Sequence, residues 1–259
     1  MVPIDMDAPG VIQQRFQVGE LCMLENSKRI IIVLFVFLGT NALAQQSGDI
    51  VTEIELGAIF TSGNTEEENV SYGVTVDWLR ENWEYQFTSD GLRNSRFGDV
   101  TAQRFYHVAR GRRQIDENSF WGVRGAYEDD RFNGFDYQAD VTVTYGRNFL
   151  TDVDNMSLST EVGPGYRRSV TEIDEFNEVI IRAAGEYVWN MSESANFFQN
   201  LSAEAGDETT IYRSETGVES ALMENLSLRL SFNVRHQTDV PFGREKTDTQ
   251  TAVSVVWSF

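Results

Sequence analysis

The sequence feature that most constrains this chain is a two-residue alternation of apolar and polar side chains, repeated from Gln45 onward. The alternation is continuous over 70–78, over 226–235 and again over 253–259 at the C-terminus. Successive side chains of a β-strand point to opposite faces, whereas a helix repeats its apolar residues every 3.6 positions. No sustained helical period occurs in this part of the sequence. The pattern therefore predicts an all-β fold whose strands each have two different faces.

Polar breaks divide this region into twelve segments of roughly strand length. A strand that spans a membrane needs about 9 to 11 residues, and single-chain bacterial barrels have even strand numbers. We therefore predict a transmembrane antiparallel up-and-down β-barrel of about twelve strands, with ten or fourteen as the alternatives. The segments lie at 51–61, 70–80, 83–89, 101–113, 119–128, 137–149, 156–167, 178–189, 195–205, 209–222, 226–237 and 248–259.

The breaks between these segments alternate in length. Short periplasmic turns that alternate with longer external loops are typical of outer-membrane barrels, so both chain termini are predicted to lie on the periplasmic side. The short breaks lie at 80–82, 116–118, 152–155, 190–193 and 223–225. The long breaks lie at 62–69, 89–100, 128–136, 168–177 and 238–247, and the short break at 206–208 is the exception.

The polar face of the strands carries charges of both signs. In a barrel this face lines the lumen, where carboxylates and arginines can pair, whereas in a soluble β-sandwich, the main alternative, it would meet water. All the basic residues except Lys28 and Lys246 are arginines, whose forked guanidinium suits a packed ionic interior. The candidate lumen charges are Glu55, Asp77, Arg124, Asp140, Glu161, Arg182, Glu186, Arg213, Glu215, Arg229 and Arg235, with Glu84, Arg167 and Glu204 on the same face.

The N-terminal region has the order of elements of a secretory signal peptide. Lys28 and Arg29 precede nine apolar residues at 30–38, and a small-x-small sequence follows at 42–44. We predict cleavage between Ala44 and Gln45, with a buried strand or short anchor helix as the structural alternative. Residues 23–44 make a signal of normal size, so 1–22 are interpreted as a start-site extension rather than as a long n-region. The barrel is predicted to occupy 45–259.

The last predicted strand ends in aromatic residues, and these help to predict which cellular components the protein contacts. Trp257 and Phe259 lie on the apolar face, and a C-terminal Phe on such a strand resembles the recognition signal of the outer-membrane assembly machinery. Ser254 and Ala252 stand where that pattern often has Gly and a polar residue. We expect the barrel-assembly machinery, outer-membrane lipids and lipopolysaccharide as partners, and no stable protein partner. Nucleic acid is not expected, because the net charge is -19 and phosphate binding needs clustered cations.

Three short segments resemble one known family. They are Glu-Leu-Gly-Ala at 55–58 followed by Thr-Ser-Gly-Asn-Thr at 61–65, Gly-Pro-Gly-Tyr-Arg at 163–167, and the terminal Trp-Ser-Phe. In these segments the chain resembles the domain-of-unknown-function family labelled salt-induced outer membrane protein, over residues 50–259. The resemblance implies an outer-membrane barrel and a role in salt or osmotic adaptation, and it carries no catalytic residues. Pro164 removes a ladder donor within a predicted strand, so a bulge or kink is also expected there.

The sequence offers little support for catalysis. We expect no enzyme activity, no cofactor and no metal. A barrel hydrolase would need a His paired with Ser or Asp at the rim, and the nearest match is His236 with Asp239; His107 is the other histidine. The acidic segments 66–68, 128–130 and 207–208 contain the carboxylate oxygens that divalent cations prefer, but they match no defined calcium loop.

Taken together, these patterns predict a protein of the bacterial outer membrane that is either a narrow or plugged channel or an envelope-stabilising protein. Twelve strands leave a lumen that bulky arginine–glutamate pairs could largely fill. The alternatives are an outer-membrane hydrolase using His236 and a surface protein that binds cations or another ligand through its acidic loops.

Overall fold

The computed structural model describes residues 50–61, 67–130, 134–171 and 173–259. The predicted extension 1–22, signal peptide 23–44 and cleavage site at Ala44 and Gln45 lie outside these residues. In the part of the chain that is described, no helix is long and apolar enough to cross a membrane.

Twelve antiparallel strands form one closed barrel. Each strand pairs with its neighbours in the sequence, and β1 also pairs with β12 through residues 53–56 and 255–258, which closes the barrel. This confirms the predicted fold class and strand number. The strands are β1 Ile50–Thr61, β2 Glu67–Arg80, β3 Trp83–Arg96, β4 Asp99–Gln114, β5 Ser119–Asp130, β6 Phe135–Phe149, β7 Met156–Val170, β8 Glu175–Asn190, β9 Ala195–Gly206, β10 Thr210–Met223, β11 Leu226–Gln237 and β12 Thr247–Ser258.

Both ends of the barrel segment lie at the same rim, which we call the terminal rim. Thr52 and Phe259 exchange two backbone hydrogen bonds there, of 2.9 and 3.0 Å. Because the strands run alternately up and down, the β2–β3, β4–β5, β6–β7, β8–β9 and β10–β11 links also lie at this rim. The remaining links lie at the opposite end, the far rim.

The predicted sorting of loop lengths is wrong at the far rim. The break predicted at 89–100 consists of the ends of β3 and β4, joined by a two-residue turn at Phe97 and Gly98. Both turn residues have positive φ, 52° and 88°, as a type I′ hairpin requires. Of the far-rim links described in full, only 238–246 is long, and 207–209 has three residues. The strands have 12 to 16 residues, so they continue where polar side chains had suggested loops.

The outer face of the barrel is apolar and exposed. Val123, Val141 and Leu230 are 53%, 57% and 52% exposed, while their sequence neighbours point inward. The exposed apolar row is the outward half of the alternation seen in the sequence. Such a surface is stable only when something other than water covers it.

Aromatic side chains form a belt near each rim. Next to the terminal rim, Trp83 stacks on Tyr85 with ring centroids 5.6 Å apart. Nearer the far rim, Tyr127 stacks between Tyr137 and His107 at 5.6 and 6.5 Å. All five tryptophans belong to the first belt: Trp78, Trp83, Trp121, Trp189 and Trp257. Two belts of this kind are typical of surfaces that meet both membrane interfaces.

Strand β7 passes through Gly-Pro-Gly at 163–165 without a bulge. The β6–β7 register is the same on both sides of this segment, so the predicted bulge is wrong. Pro164 points outward and is exposed. A Cβ atom at Gly163 would lie 1.9 Å from the carbonyl oxygen of Val143. The glycine therefore permits a close approach of β6 and β7 at this point.

Candidate functional site: the barrel interior

The interior of the barrel is lined by two walls that differ in packing. On β5 the five inward positions from Phe120 to Glu128 are all buried, and β6 repeats this pattern. We call β5–β8 the packed wall. On β3 the six inward positions from Glu84 to Asn94 are all half-buried. We call β12 and β1–β3, which are contiguous around the barrel, the open wall, although two inward residues of β12, Ser254 and Val256, are buried.

Glu204 of β9 is 1% exposed and lies at the centre of the buried charges that cover the packed wall. Its carboxylate lies 2.9 Å from Arg213, 3.7 Å from both Arg124 and Arg182, and 3.9 Å from Arg167. These arginines come from four different strands, β5, β7, β8 and β10. A single buried carboxylate thus joins five strands of the barrel.

Each of these four arginines also contacts a second buried carboxylate. The second partners are Asp140 for Arg124 (2.5 Å), Glu178 for Arg167 (2.7 Å), Glu128 for Arg213 (2.8 Å) and Glu161 for Arg182. These four acidic residues are only 4% to 8% exposed. Buried charges are tolerated when they are paired and hydrogen-bonded in this way.

Arg235 of β11 extends these contacts across the lumen. Its Nη2 lies 3.3 Å from Glu128 of β5 and donates a 2.9 Å hydrogen bond to Gln138 of β6. Strands β5 and β11 stand on opposite sides of the barrel, so the side chains bridge its width at this level. Glu204, the eight residues around it and Arg235 are called the Glu204 cluster below. It contains five arginines and five carboxylates.

Two arginines of β4 form a separate group nearer the terminal rim. Arg110 contacts Glu186 of β8 and donates to Gln86 at 2.8 Å. Arg112 lies 3.1 Å from Glu186 and 3.7 Å from Glu161. Both cations of β4 therefore contact Glu186 of the packed wall, and Arg110 also reaches Gln86 on β3 of the open wall.

The open wall is acidic. In the described part of its strands, the inward side chains include six carboxylates, and the one inward Lys or Arg is Arg96 at the far-rim end of β3. A Cβ atom at Gly73 would lie 3.1 Å from Oδ1 of Asp90 and 3.8 Å from Oε2 of Glu55, so two carboxylates flank this glycine. The six are Glu53, Glu55, Asp77, Glu84, Asp90 and Asp248.

Arg229 of β11 is the main cation that reaches the open wall. It contacts Glu55 at 2.7 Å and Glu53 at 3.4 Å on β1, and Glu219 at 2.7 Å on β10. Ser254 of β12 also hydrogen-bonds Glu55. The charge of Arg229 is therefore shared among three carboxylates.

All eleven candidate lumen charges occupy inward positions of the strands. Six of them belong to the Glu204 cluster: Arg124, Asp140, Glu161, Arg182, Arg213 and Arg235. The others contact partners elsewhere in the lumen: Glu186 with Arg110, Glu55 with Arg229, Asp77 with Gln86 and Glu215 with Asn200.

Sequence reasoning missed two members of the cluster, Glu128 and Glu178. The sequence places Glu128 both at the end of the segment 119–128 and in an acidic loop; the loop assignment is wrong, because Glu128 is the last buried inward residue of β5. It lies two positions after Ala126 and four after Arg124, so the two-residue alternation places it on the same inward face of the strand. This alternation is the sequence signal that identifies Glu128 as a lumen residue. Glu178 is likewise in step with Arg182.

The other acidic segments have varied surroundings. Glu66 lies outside the described residues. Asp207 and Glu208 are exposed in the β9–β10 link, where the backbone N–H of Glu208 donates to Glu178 at 2.9 Å. Among the residues that are described, no group of three or more His, Cys, Asp or Glu is placed to hold a metal ion.

Both histidines lie on the outer face. The Nδ1 atom of His236 hydrogen-bonds to Thr247 at 2.8 Å, and its ring lies 6.2 Å from the ring of Tyr212. These contacts differ from the predicted pair with Asp239. His107 stacks on Tyr127 in the far-rim belt.

Comparison with known proteins identifies the family. Residues 54–259 match the family described as "Protein of unknown function, DUF481". This chain belongs to that family. It is 25% identical over 207 residues to the "Uncharacterized protein YdiY" of Escherichia coli (strain K12), across 79% of this chain and 81% of that protein. The predicted domain-of-unknown-function family is thus confirmed, while its salt-induced label stays a prediction.

Solved structures resemble the DUF481 barrel in fold. The NanC porin has a TM-score of 0.52 at 9% identity, covering 80% of this chain and 98% of that one. An outer membrane channel from Pseudomonas putida F1 has a TM-score of 0.48 at 11% identity, covering 83% and 97%. At such identities the NanC likeness concerns the fold alone.

Proposed function

We propose that this protein is a narrow diffusion channel of the bacterial outer membrane, constricted by the Glu204 cluster. The observation that carries the proposal is the difference between the two walls. The packed wall fills its side of the lumen with buried ion pairs, whereas every inward position of β3 on the open wall is half-buried. A twelve-stranded barrel filled from one side leaves a narrow polar route along the other.

The outer surface supports a membrane location. It presents an exposed apolar band between two aromatic belts, and the pairing of β1 with β12 closes the barrel, as hydrocarbon requires. Outer-membrane lipids and lipopolysaccharide would cover this band. The barrel-assembly machinery would recognise the last strand through Trp257 and Phe259, after export and cleavage behind Ala44. The porin title of the similar NanC structure agrees with a channel.

An envelope-stabilising barrel without conductance is the second candidate. It is favoured by the contact between Arg235 and Glu128, which joins opposite strands across the lumen. If the open wall were also closed by bound solute or by side-chain motion, the same cluster would serve only to stiffen the barrel. The two candidates differ in one observable, the passage of ions.

We also propose that the protein acts without catalysis, cofactor or stable protein partner. In support, the contacts of both histidines are those of an outer surface: His236 with Thr247 and His107 with Tyr127. A channel would adjust small-solute exchange under osmotic stress, in line with the family label. A deletion strain is then expected to grow more slowly than its parent in high salt, and to recover on complementation.

Planar-bilayer recording tests the channel. The purified barrel should produce small, uniform current steps, and Thr88→Trp, which adds bulk at an inward position of the open wall, should reduce them. Thr251→Trp places the same side chain on the outer face of β12 and serves as the control, since it should leave the current unchanged. Heat-modifiable gel mobility checks that each variant is folded. A folded wild-type protein without current in any salt would contradict the channel and favour the envelope role.

A further inference from the structure

We infer that the channel passes cations in preference to anions, along the open wall. The inference rests on the proposed channel function and names the class of solute that it carries. It follows from how charge is divided between the two sides of the lumen, since the barrel does not distribute its inward charges evenly.

The packed side of the lumen carries no net charge at its centre. The Glu204 cluster has five arginines and five carboxylates. Contacts such as Arg124 with Asp140 at 2.5 Å and Arg167 with Glu204 at 3.9 Å place each charge beside one of opposite sign. Paired charges of this kind produce little field at a distance, because opposite charges a few ångströms apart cancel. The cluster therefore acts on a passing ion mainly through its volume.

The open side carries unbalanced negative charge. Besides the six carboxylates of the open wall, Glu215 and Glu219 face inward from β10. The cations that reach this side include Arg104, which donates to Gln250 at 3.5 Å, and Arg110, which donates to Gln86 at 2.8 Å, together with Arg96 at the far-rim end. Arg229 is shared by three carboxylates, and Asp248 lies 3.8 Å from Arg235, which also contacts Glu128. The carboxylates on this side therefore outnumber the cations that reach them.

The carboxylates are also spread along the whole path. Glu55, Gly73 and Asp90 form one direct cross-strand row in the middle of the wall. Asp77 and Glu84 lie closer to the terminal rim on β2 and β3, and Asp248 lies near the far rim on β12. An ion that follows the open wall meets a carboxylate at each of these levels.

This arrangement favours cations for a physical reason. A narrow aqueous path between low-dielectric walls focuses the field of its wall charges and raises the local concentration of counter-ions. Acidic side chains that line a pore select cations in this way. Asn94 and Gln250, which are neutral, continue the wall toward the far rim, where Arg104 donates to Gln250 at 3.5 Å.

Reversal potentials across a bilayer with unequal potassium chloride test the inference. The wild-type cation-to-anion permeability ratio should exceed one. The Asp77→Asn and Glu84→Gln double variant removes two path charges with little change in volume, and should lower the ratio several-fold toward one. The matched control is Asp152→Asn with Asp154→Asn, which removes two charges from the exposed β6–β7 turn and should leave the ratio near the wild-type value.

The outcomes separate the two proposals. A current with a permeability ratio at or below one, or a ratio that the folded double variant leaves unchanged, would overturn the cation preference alone. Complete absence of current would overturn the channel itself, and the preference with it. If the double variant lacks the heat-modifiable mobility of a folded barrel, Asp77→Asn alone carries the test, with a smaller fall in the ratio expected.

Discussion

Strands β5 and β3 have the same alternating geometry in the same barrel, yet their inward faces differ. The inward side chains of β5 are buried because guanidinium and carboxylate groups from β9–β11 reach them, as Arg213 reaches Glu128 at 2.8 Å. The middle of β3 instead presents Asp90 toward further carboxylates. Opposite charges can approach closely and exclude water, whereas like charges need water between them. The comparison teaches that charge pairing decides which part of this lumen is filled.

The largest effect is expected from removing the centre of the packed side. Glu204→Gln leaves four arginines without their shared carboxylate, and loss of one partner from a buried ionic group costs about 3 to 5 kcal/mol. The variant should unfold at a clearly lower urea concentration than the wild type when tryptophan fluorescence is followed in lipid vesicles. The five tryptophans belong to five different strands, β2, β3, β5, β8 and β12, so their fluorescence reports on strands all around the barrel.

Two controls define this result. Glu175→Gln removes a carboxylate from an exposed pair with Arg168, and such a pair contributes about 0 to 1 kcal/mol. Glu84→Gln removes a charge from the open wall and should also have a small effect. If Glu204→Gln were no more destabilising than Glu84→Gln, the distinction between a packed and an open wall would fail.

The two walls also differ in how much room they leave for a side chain at a glycine. In Gly163→Ala the new methyl group would meet the Val143 carbonyl oxygen of the packed wall at 1.9 Å, and because backbone cannot move aside cheaply, we expect a loss of about 1 to 3 kcal/mol. In Gly73→Ala the nearest atom is a carboxylate oxygen of Asp90 at 3.1 Å, which can rotate away. Equal urea midpoints for the two variants would contradict this reading.

Sequence patterns predicted the fold well where the outward face is apolar. Strand β11 occupies 226–237 as predicted, because Leu, Phe and Val alternate along it without a break. Strand β3 was predicted to end at residue 89, because its later outward residues, Ser89, Gly91 and Arg93, are not apolar. A strand that continues beyond the apolar band loses the alternation that identifies it, and local sequence then suggests a loop.

The site could be predicted only in part. The two-residue alternation assigned the charged side chains to the inner face of the barrel, because the face on which a strand residue lies depends only on its position along that strand. Their partners were out of reach, because contacts such as Arg213 with Glu128 join residues 85 positions apart. The division into two walls depends on which strands face each other across the lumen, and no short sequence pattern carries that information.

A moderate effect is expected when a pair of opposite charges is removed together. The Arg213→Met and Glu128→Gln double variant should be less destabilising than Arg213→Met alone, because the carboxylate of Glu128 is no longer buried without its nearest guanidinium. It should also raise single-channel conductance, since two groups that bridge the lumen are replaced by shorter or neutral ones. Urea unfolding of both single variants and the double variant gives the coupling energy. Additive losses would show that the pair is not coupled in the folded barrel.

The smallest effect is expected at the β4–β5 turn, which connects the strand next to the open wall to the packed wall. The backbone N–H of Asn118 donates to Asp116 Oδ1 at 2.9 Å, and that of Ser119 does so at the same distance. The Asn118 hydrogen bond is the main reason that the pKa of Asp116 lies below its ordinary value. A depressed pKa means that the turn is fully stabilised above the unfolded-state pKa and loses that stabilisation as the pH falls through the folded-state value. Amide exchange at Asn118 and Ser119 should therefore accelerate in acid, relative to the intrinsic rate, and Asp116→Ala should show the faster rate at neutral pH.

The control for this turn is Asp152→Ala, which lies in another turn of the same rim and should leave the exchange of these two amides unchanged. The urea midpoint of Asp116→Ala should shift much less than that of Glu204→Gln. An equally large shift would mean that the turn, rather than the Glu204 cluster, holds the two sides of the barrel together.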